Sequence, residues 1–240
     1  MQTEKDKSRG AAATRLPAPE LLRSPHAVWL LPLATGVLGV VLWLAWPPVR
    51  LMESFKEEGF VETSTAVLFF VLALAVWLTA SHESLGVRWA LSVMFAAGGA
   101  RELDLHRAFT DGSSVLKVSF YLRDAPLNQK LTAFIVLFVI AVAAGLLIAR
   151  YARPFLHGVR RRDALAITVL CFFVTMIVSK VFDRSINVLA EDFDLHVTLS
   201  AKALVSVLEE SLELCLTLLA VIGMAQHRRR AAAAVATPAD

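Results

Sequence analysis

Long apolar stretches separated by short polar segments follow one another along the whole chain. Six of them stand out, at residues 28–46, 60–80, 87 to about 105, 131–149, 164–182 and 197–225. An α-helix rises about 1.5 Å per residue, so each stretch is long enough to cross ~30 Å of hydrocarbon. The third and sixth stretches are less apolar. We count them as spans because a six-span topology puts the basic segments of the chain on one side of the membrane. The pattern predicts an all-α fold, a polytopic integral membrane protein built as a six-transmembrane-helix bundle.

One segment departs from this helical pattern. Between residues 113 and 122, apolar and polar positions alternate, with Leu116, Val118, Phe120 and Leu122 as the apolar members. Strict alternation is typical of an extended chain. The segment therefore predicts a short strand or an extended interfacial stretch at the outer face of the membrane.

Basic side chains cluster on three segments that a six-span topology puts on one side of the membrane. The clusters are Lys5, Lys7, Arg9, Arg15 and Arg23; Arg150, Arg153, Arg160, Arg161 and Arg162; and Arg228, Arg229 and Arg230. Since cytoplasmic loops are enriched in Lys and Arg, we expect both termini in the cytoplasm. The chain then divides into a polar cytoplasmic tail (1–26), a transmembrane domain (27–226) and a basic, then low-complexity, cytoplasmic tail (227–240). A bacterial inner (plasma) membrane is the expected location.

Composition supports a membrane protein and narrows its partners. Of the 240 residues, 57% are hydrophobic and 19% are charged, with a mean hydropathy of +0.61. Such a chain is too apolar for an ordinary soluble domain, and the lipid bilayer is its expected partner. The net charge is +3, but the basic residues form short clusters at the ends of spans, which argues against nucleic-acid binding. Cys171 and Cys215 both lie in apolar stretches, which excludes a disulfide framework outside the membrane.

The sixth stretch carries polar residues along one helical face. They recur at spacings of three and four, and are Thr198, Lys202, Ser206, Glu209, Glu213 and Thr217. Glu209 lies about 18 Å from the start of the stretch, near mid-membrane, where an ionised side chain is costly. Glu209 and Glu213 are one turn apart, so one of them carries a proton or a cation lies between them. Lys202 could supply part of that charge. We predict both glutamates as catalytic residues.

Two further stretches carry acidic residues at their outer ends. Asp183 ends a second polar face, which Cys171, Thr175 and Ser179 form at steps of four along the fifth stretch. We predict Asp183 as a third catalytic residue, with an interfacial ion pair to Lys180 or Arg184 as the alternative. Glu62 opens the second stretch. The first and fourth stretches are almost free of polar residues, and we expect them to face lipid.

The stretch ARELDLHRAF (100–109) ends the third span with an unusual density of charge. On a helix, Glu102 and His106 share a face four residues apart and form a two-ligand unit, while Asp104 faces Arg101 and Arg107. In an extended chain, Glu102, Asp104 and His106 would share one side instead. A solvated, salt-bridged helix end is an equally plausible interpretation. Gly98-Gly99 just before it permits a close helix contact or a break.

Topology brings several of these groups to the outer boundary of the membrane. Carboxylates and histidines together are ligands for a divalent metal such as Zn, Mn or Fe. The predicted metal ligands are Glu62, Glu102, His106 and His196, although a solvent-exposed His196 in its loop is the simpler interpretation. A metal there would polarise a carbonyl or phosphoryl oxygen and activate water.

Three functions fit these observations. The first is a metal-dependent hydrolase or transferase that acts on a lipid-like substrate, with its site open to the outer face. The second is a proton- or cation-coupled transporter that uses the intramembrane glutamates. The third is a non-catalytic membrane subunit in which buried charges hold the helices together. Nothing in the sequence identifies the substrate or the oligomeric state.

Overall fold

The computed structural model describes residues 24–55, 59–108, 118–122, 126–191, 193, 195 and 197–236, and within them the fold is all-helical, without strands. A 3-10 turn, Ala27–Trp29, leads into the first helix. The helices are α1 (Leu30–Ala45), α2 (Pro48–Ser54), α3 (Phe60–Thr79), α4 (Leu85–Glu102), α5 (Leu105–Ala108), α6 (Val118–Leu122), α7 (Leu127–Arg160), α8 (Ala164–Glu191) and α9 (Leu199–Ala236).

Four segments are long and apolar enough to cross a membrane: Ala27–Ala45, Phe60–Thr79, Leu127–Arg160 and Ala164–Ala190. These match the first, second, fourth and fifth predicted spans and indicate a membrane protein. The third and sixth predicted spans also form long helices, α4 and α9, but their polar residues keep them below that hydropathy. The six-span count and the cytoplasmic location of both termini therefore stay predictions.

The helix α9 lies at the centre of the bundle. It packs against α1, α2, α3 and α8, and its 38 residues span about 57 Å at the usual helical rise. Cys215 and Leu219 pack with Val28 and Cys171 on one side, while Leu216 packs with Phe69 and Leu72 of α3 on another. A helix that is surrounded in this way buries polar and apolar faces alike, which explains how a stripe of acidic residues comes to lie inside the protein.

Among the long helices, α1 and α7 have the fewest buried residues. Gly39 is the buried residue of α1, and Ala133 and Ala143 are those of α7. Their large apolar side chains are exposed; Leu44, for example, is 71% exposed. A wide apolar surface of this kind suits contact with hydrocarbon chains, in agreement with the lipid-facing role predicted for the first and fourth stretches.

The glycine pair before the charged stretch lets α3 and α4 approach closely. A Cβ atom at Gly99 would lie 2.9 Å from the carbonyl oxygen of Ala66 and 3.0 Å from the ring of Phe70. Only a residue without a side chain fits that distance. Of the two alternatives for Gly98-Gly99, the close helix contact is therefore the one that forms.

The charged stretch is not one continuous helix, and the predicted face shared by Glu102 and His106 is wrong. Helix α4 ends at Glu102, and Asp104 adopts a left-handed conformation with φ 49°. A short polar side chain such as that of Asp tolerates this geometry better than most. The chain then restarts as the short helix α5 (Leu105–Ala108). The condition under which Glu102 and His106 would share a helical face, an uninterrupted helix, is therefore not met.

The alternating segment differs from its prediction as well. Its second half, Val118–Leu122, forms the short helix α6, in which Phe120 is buried against Ala133 of α7. Residues 113–117 lie outside the described part of the chain. The alternation therefore does not correspond to a strand in the half that the structure describes.

Candidate functional site

The centre of the candidate site is the carboxylate of Glu213, which is 5% exposed on α9. Its Oε1 atom lies 2.7 Å from the Nζ of Lys180 and accepts a hydrogen bond of 3.2 Å from the hydroxyl of Ser179, both on α8. Arg101 at the end of α4 donates to the same oxygen at 3.4 Å. Three helices thus converge on one buried carboxylate, and charge-assisted hydrogen bonds of this type are among the stronger ones.

Glu102 lies beside Glu213 and is itself buried, at 8% exposure. The two carboxyl groups are close enough to interact with each other. Two ionised carboxylates repel at short range, so this arrangement favours a proton on one of the two groups. The Arg101 guanidinium lies 4.0 Å from Glu102 and faces both members of the pair.

Lys180 joins the buried pair to two further acidic residues. Its Nζ lies 3.4 Å from Asp183 and 4.0 Å from Glu209. The alternative raised for Asp183, an ion pair with Lys180, is therefore present. The cation beside the sixth-stretch glutamates is Lys180 of α8, whereas Lys202 is exposed on α9. Most of these contacts link separate helices, so the cluster also fixes how α4, α8 and α9 pack.

Acidic groups outnumber basic ones in this part of the bundle. Lys180 and Arg101 face Glu102, Asp183, Glu209 and Glu213, and Glu210 is close enough for its charge to interact with several of them. One carboxylate oxygen of Glu210 is buried without a hydrogen-bond partner among the described residues. Uncompensated carboxylates are costly in a medium of low dielectric constant, so protons offset part of the excess.

An open groove of about 650 Å³ lies along α8 next to this cluster. Three basic side chains line it, those of Arg101, Lys180 and Arg184, and its remaining surface is largely apolar, with Ile177 and Val181 among the lining residues. The groove therefore combines an apolar surface with a positive rim. Arg101 and Lys180 of that rim also contact the buried carboxylate of Glu213.

The structure brings together Glu102, Asp183, Glu209 and Glu213 around Lys180, and of the other predicted residues it describes the side chain of Glu62. Glu62 at the start of α3 is close enough to Glu210 for the two charges to interact. His106 lies in α5, and its side chain is outside the described part. His196 is also outside the described residues. The assignment of Glu62, Glu102, His106 and His196 to a divalent metal stays a prediction.

The role of Arg101 differs from the sequence-based expectation. Asp104 does pair with Arg107, at 3.2 Å, but Arg101 turns towards Glu213 and Glu102. The turn at Asp104 changes which residues face each other, because the i,i+3 relation between Arg101 and Asp104 holds only on an uninterrupted helix. Arg101 is therefore part of the cluster.

A second polar group lies at the opposite end of the bundle and was missed by the sequence analysis. His82 and Glu83 lie in the turn between α3 and α4, and His227 lies near the end of α9, with ligand atoms of all three within 4.8 Å of one another. Burial and the neighbouring His82 lower the pKa of His227. The span pattern alone could have placed residues 82, 83 and 227 at the same membrane face, but not in contact.

No protein-family model, no curated protein and no solved structure matches this chain. The described residues form an all-helical fold, and its four long apolar helices indicate a membrane protein. The two polar groups are the features of this fold that bear on function.

Proposed function

We propose that this protein is a membrane-embedded hydrolase or transferase that acts on a lipid-like substrate with an anionic head group. The observation that carries the proposal is the groove along α8, in which the cations of an acid–base cluster form the rim of an apolar surface. Arg101, Lys180 and Arg184 would hold the head group, and the exposed side chains of Ile177 and Val181 would contact the acyl or prenyl chain.

The carboxyl pair supplies the acid for such a reaction. Glu102 and Glu213 would hold one proton between them, and a neutral carboxylic acid beside an anionic substrate is suited to protonate a leaving oxygen. Glu209, which is also beside Lys180, would take the proton from the attacking water or alcohol. Asp183 would position Lys180. The net result is transfer of the substrate's acyl or phosphoryl group to water or alcohol, with one proton taken up and one returned.

Lys180 and Arg101 already provide positive charge between the carboxylates. They would neutralise the head group and the negative charge that develops on the carbonyl or phosphoryl oxygen during the reaction. A divalent metal would provide the same stabilisation. A metal held by Glu62, Glu102, His106 and His196 would add to this charge, and the proposed acid–base step does not depend on it.

The test uses purified protein in zwitterionic detergent and a panel of short-chain amphiphiles that carry phosphomonoester, phosphodiester or carboxylic ester groups. Products are followed by mass spectrometry for wild type, Glu213→Gln, Glu209→Gln and Arg184→Gln. We expect Glu213→Gln and Glu209→Gln to lower kcat about 100-fold or more, as for loss of a general acid or base. Arg184→Gln should raise KM with little change in kcat, because Arg184 lies only on the rim.

Glu53→Gln is the matched control, since Glu53 is an exposed carboxylate on α2. It should behave like wild type. If wild type turns over none of the three classes, or if Glu213→Gln retains full activity, the enzyme proposal is wrong.

The shared proton also favours a second function, a proton-coupled transporter. In vesicles that contain the protein and an internal pH indicator, this function predicts proton movement down an imposed gradient when a transported solute is present. Loss of that movement in Glu102→Gln and Glu213→Gln, together with no product formation by wild type, would select the transporter. If both assays fail and the variants only lower thermal stability, the remaining interpretation is a structural subunit.

A further inference from the structure

We propose that His82, Glu83 and His227 form a divalent transition-metal site, of the kind that binds Zn²⁺, at the end of the bundle opposite the carboxylate cluster. The site would connect the turn between α3 and α4 to the C-terminal part of α9. It is independent of the proposed enzyme activity, because it shares no residue with the cluster around Glu213.

The three ligand atoms have the spacing that a small metal ion requires. The Nε2 atoms of His82 and His227 are 2.9 Å apart, and Glu83 Oε1 lies 3.1 Å from His227 Nε2 and 3.9 Å from His82 Nε2. Ligands on a tetrahedral zinc at about 2.0–2.1 Å are separated by about 3.3 Å. The circle through the three atoms has a radius of about 2.0 Å, so an ion at those bond lengths would lie in or near the plane of the three atoms, and the 3.9 Å pair has to close by about 0.6 Å for a tetrahedral arrangement.

The orientation of the two imidazole rings supports the same geometry. Their centroids are 4.7 Å apart and their planes are inclined by 41°, and their Nε2 atoms lie 2.9 Å from each other. Two protonated imidazolium rings would repel each other at this distance, whereas two neutral imidazoles with a carboxylate form the two-nitrogen, one-oxygen donor set that suits zinc and related ions.

A second layer of contacts holds the carboxylate in place. The phenol of Tyr151, on α7, is close enough to Glu83 to interact with its carboxylate. Metal-bound carboxylates and imidazoles usually have such outer partners, which fix their orientation and raise affinity. With Tyr151 included, the site draws on α7, α9 and the α3–α4 turn. Three protein ligands leave one tetrahedral position for water or another small ligand.

The binding test uses full-length protein whose affinity tag has been removed, stripped of metal with a chelator and titrated with Zn²⁺ by calorimetry in a non-ionic detergent. We expect one Zn²⁺ per chain, and a loss of affinity of about 100-fold or more in His82→Ala and in His227→Ala. Tyr151→Phe keeps all three ligands and should weaken binding about 10-fold, the lower end of the effect of an outer partner.

His157→Ala is the matched control, because His157 is an exposed histidine in the last turn of α7; it should bind like wild type. Titration of wild type with Co²⁺ provides a readout that does not depend on any variant folding. Intense visible absorption bands, typical of four-coordinate Co²⁺, are expected. Absence of one-to-one binding, weak bands typical of six-coordinate Co²⁺, or unchanged affinity in both histidine variants would each overturn the proposal.

Discussion

The two ends of this bundle differ in the groups that surround their carboxylates. At one end, buried carboxylates meet cations that belong to the protein itself, with Lys180 2.7 Å from Glu213 and Arg101 3.4 Å from it. At the other, one carboxylate meets two imidazoles, and among the described residues no Lys or Arg forms an ion pair with Glu83. In the first arrangement the protein's own cations offset part of the negative charge, whereas the second has the donor atoms for an added ion.

This difference separates two kinds of chemistry. A cluster whose carboxylates outnumber its cations can gain or lose protons, and its basic rim can accept an anionic head group. A cluster of neutral nitrogens and one carboxylate recruits a metal cation. Changes at one end should therefore leave the ligand of the other end unaffected, apart from effects carried by the helices.

We expect the two ends of the bundle to face opposite sides of the membrane. Cysteine labelling in intact cells tests this, because a cysteine on one side reacts and a cysteine on the other does not. In a cysteine-free background (Cys171→Ser, Cys215→Ser), Leu122→Cys should react with a membrane-impermeant maleimide in intact cells. Ser81→Cys, next to His82, should react only after permeabilisation. Both side chains are exposed, so access depends on the side of the membrane. Reaction of both in intact cells would contradict the six-span topology.

Removal of the central cation of the carboxylate cluster should have the largest effect on stability. Lys180→Met leaves Asp183, Glu209 and Glu213 without their nearest positive charge. Loss of one partner of a fully buried ion pair costs about 3–5 kcal/mol; Lys180 is 32% exposed, so we expect about 2–3 kcal/mol. Thermal unfolding in detergent measures the change.

Lys202→Met is the control for this variant, since Lys202 is an exposed lysine on α9. It should unfold like wild type. Zn²⁺ binding by folded Lys180→Met should equal that of wild type. An unchanged unfolding temperature in Lys180→Met would show that the cluster contributes little to packing.

A smaller effect is expected from Gly99→Ala. The added methyl group would meet the Ala66 carbonyl at 2.9 Å and push the outer end of α4, with Arg101 and Glu102, away from α3. Overpacking of this kind costs about 1–3 kcal/mol. Gly145→Ala on α7 is the control, because nothing lies within 4 Å of its added Cβ. Equal unfolding temperatures for the two variants would contradict the close contact.

The smallest predicted effect concerns pH at the histidine end. Zinc binds neutral imidazole and competes with protons, so lowering the pH from about 7.5 to about 6.5 should weaken binding about threefold. The lowered pKa of His227 keeps that ring neutral further into acid, which makes the loss smaller still. Calorimetric titration at several pH values measures it, and a tenfold or greater loss over that interval would contradict this ligand set.

The sequence predicts well where the long helices lie along the chain and which residues share a face of α9. It predicts poorly which side chains from different helices come into contact. The stripe of Glu209 and Glu213 follows directly from the 3.6-residue period, and the burial of Glu213 agrees with it. The period cannot reveal that Lys180, 33 positions earlier, provides the compensating charge, because that depends on which face α8 presents to α9. His82 and His227 are separated by 145 positions, and no local pattern marks them.

The turn at Asp104 shows a second kind of limit. The pattern of ARELDLHRAF predicts either a regular helix or an extended chain. In the described part of this stretch, the chain instead forms the end of α4, a turn at Asp104 and the short helix α5. A single residue with φ 49° ends the regular helix, and Arg101 just before it faces the carboxyl pair. A left-handed residue that is not glycine is uncommon, so a prediction from regular periodicity misses it.

The continuity of α9 has a mechanical consequence. Glu213 and His227 lie on one uninterrupted helix, about 21 Å apart along its axis, and such a helix is stiff against compression. A ligand that slides or rotates α9 at one end therefore moves the donor atoms at the other end by a similar amount. By thermodynamic reciprocity, if occupancy of the histidine end alters the affinity of the carboxyl pair for its proton, protonation of that pair alters the affinity for metal by the same factor.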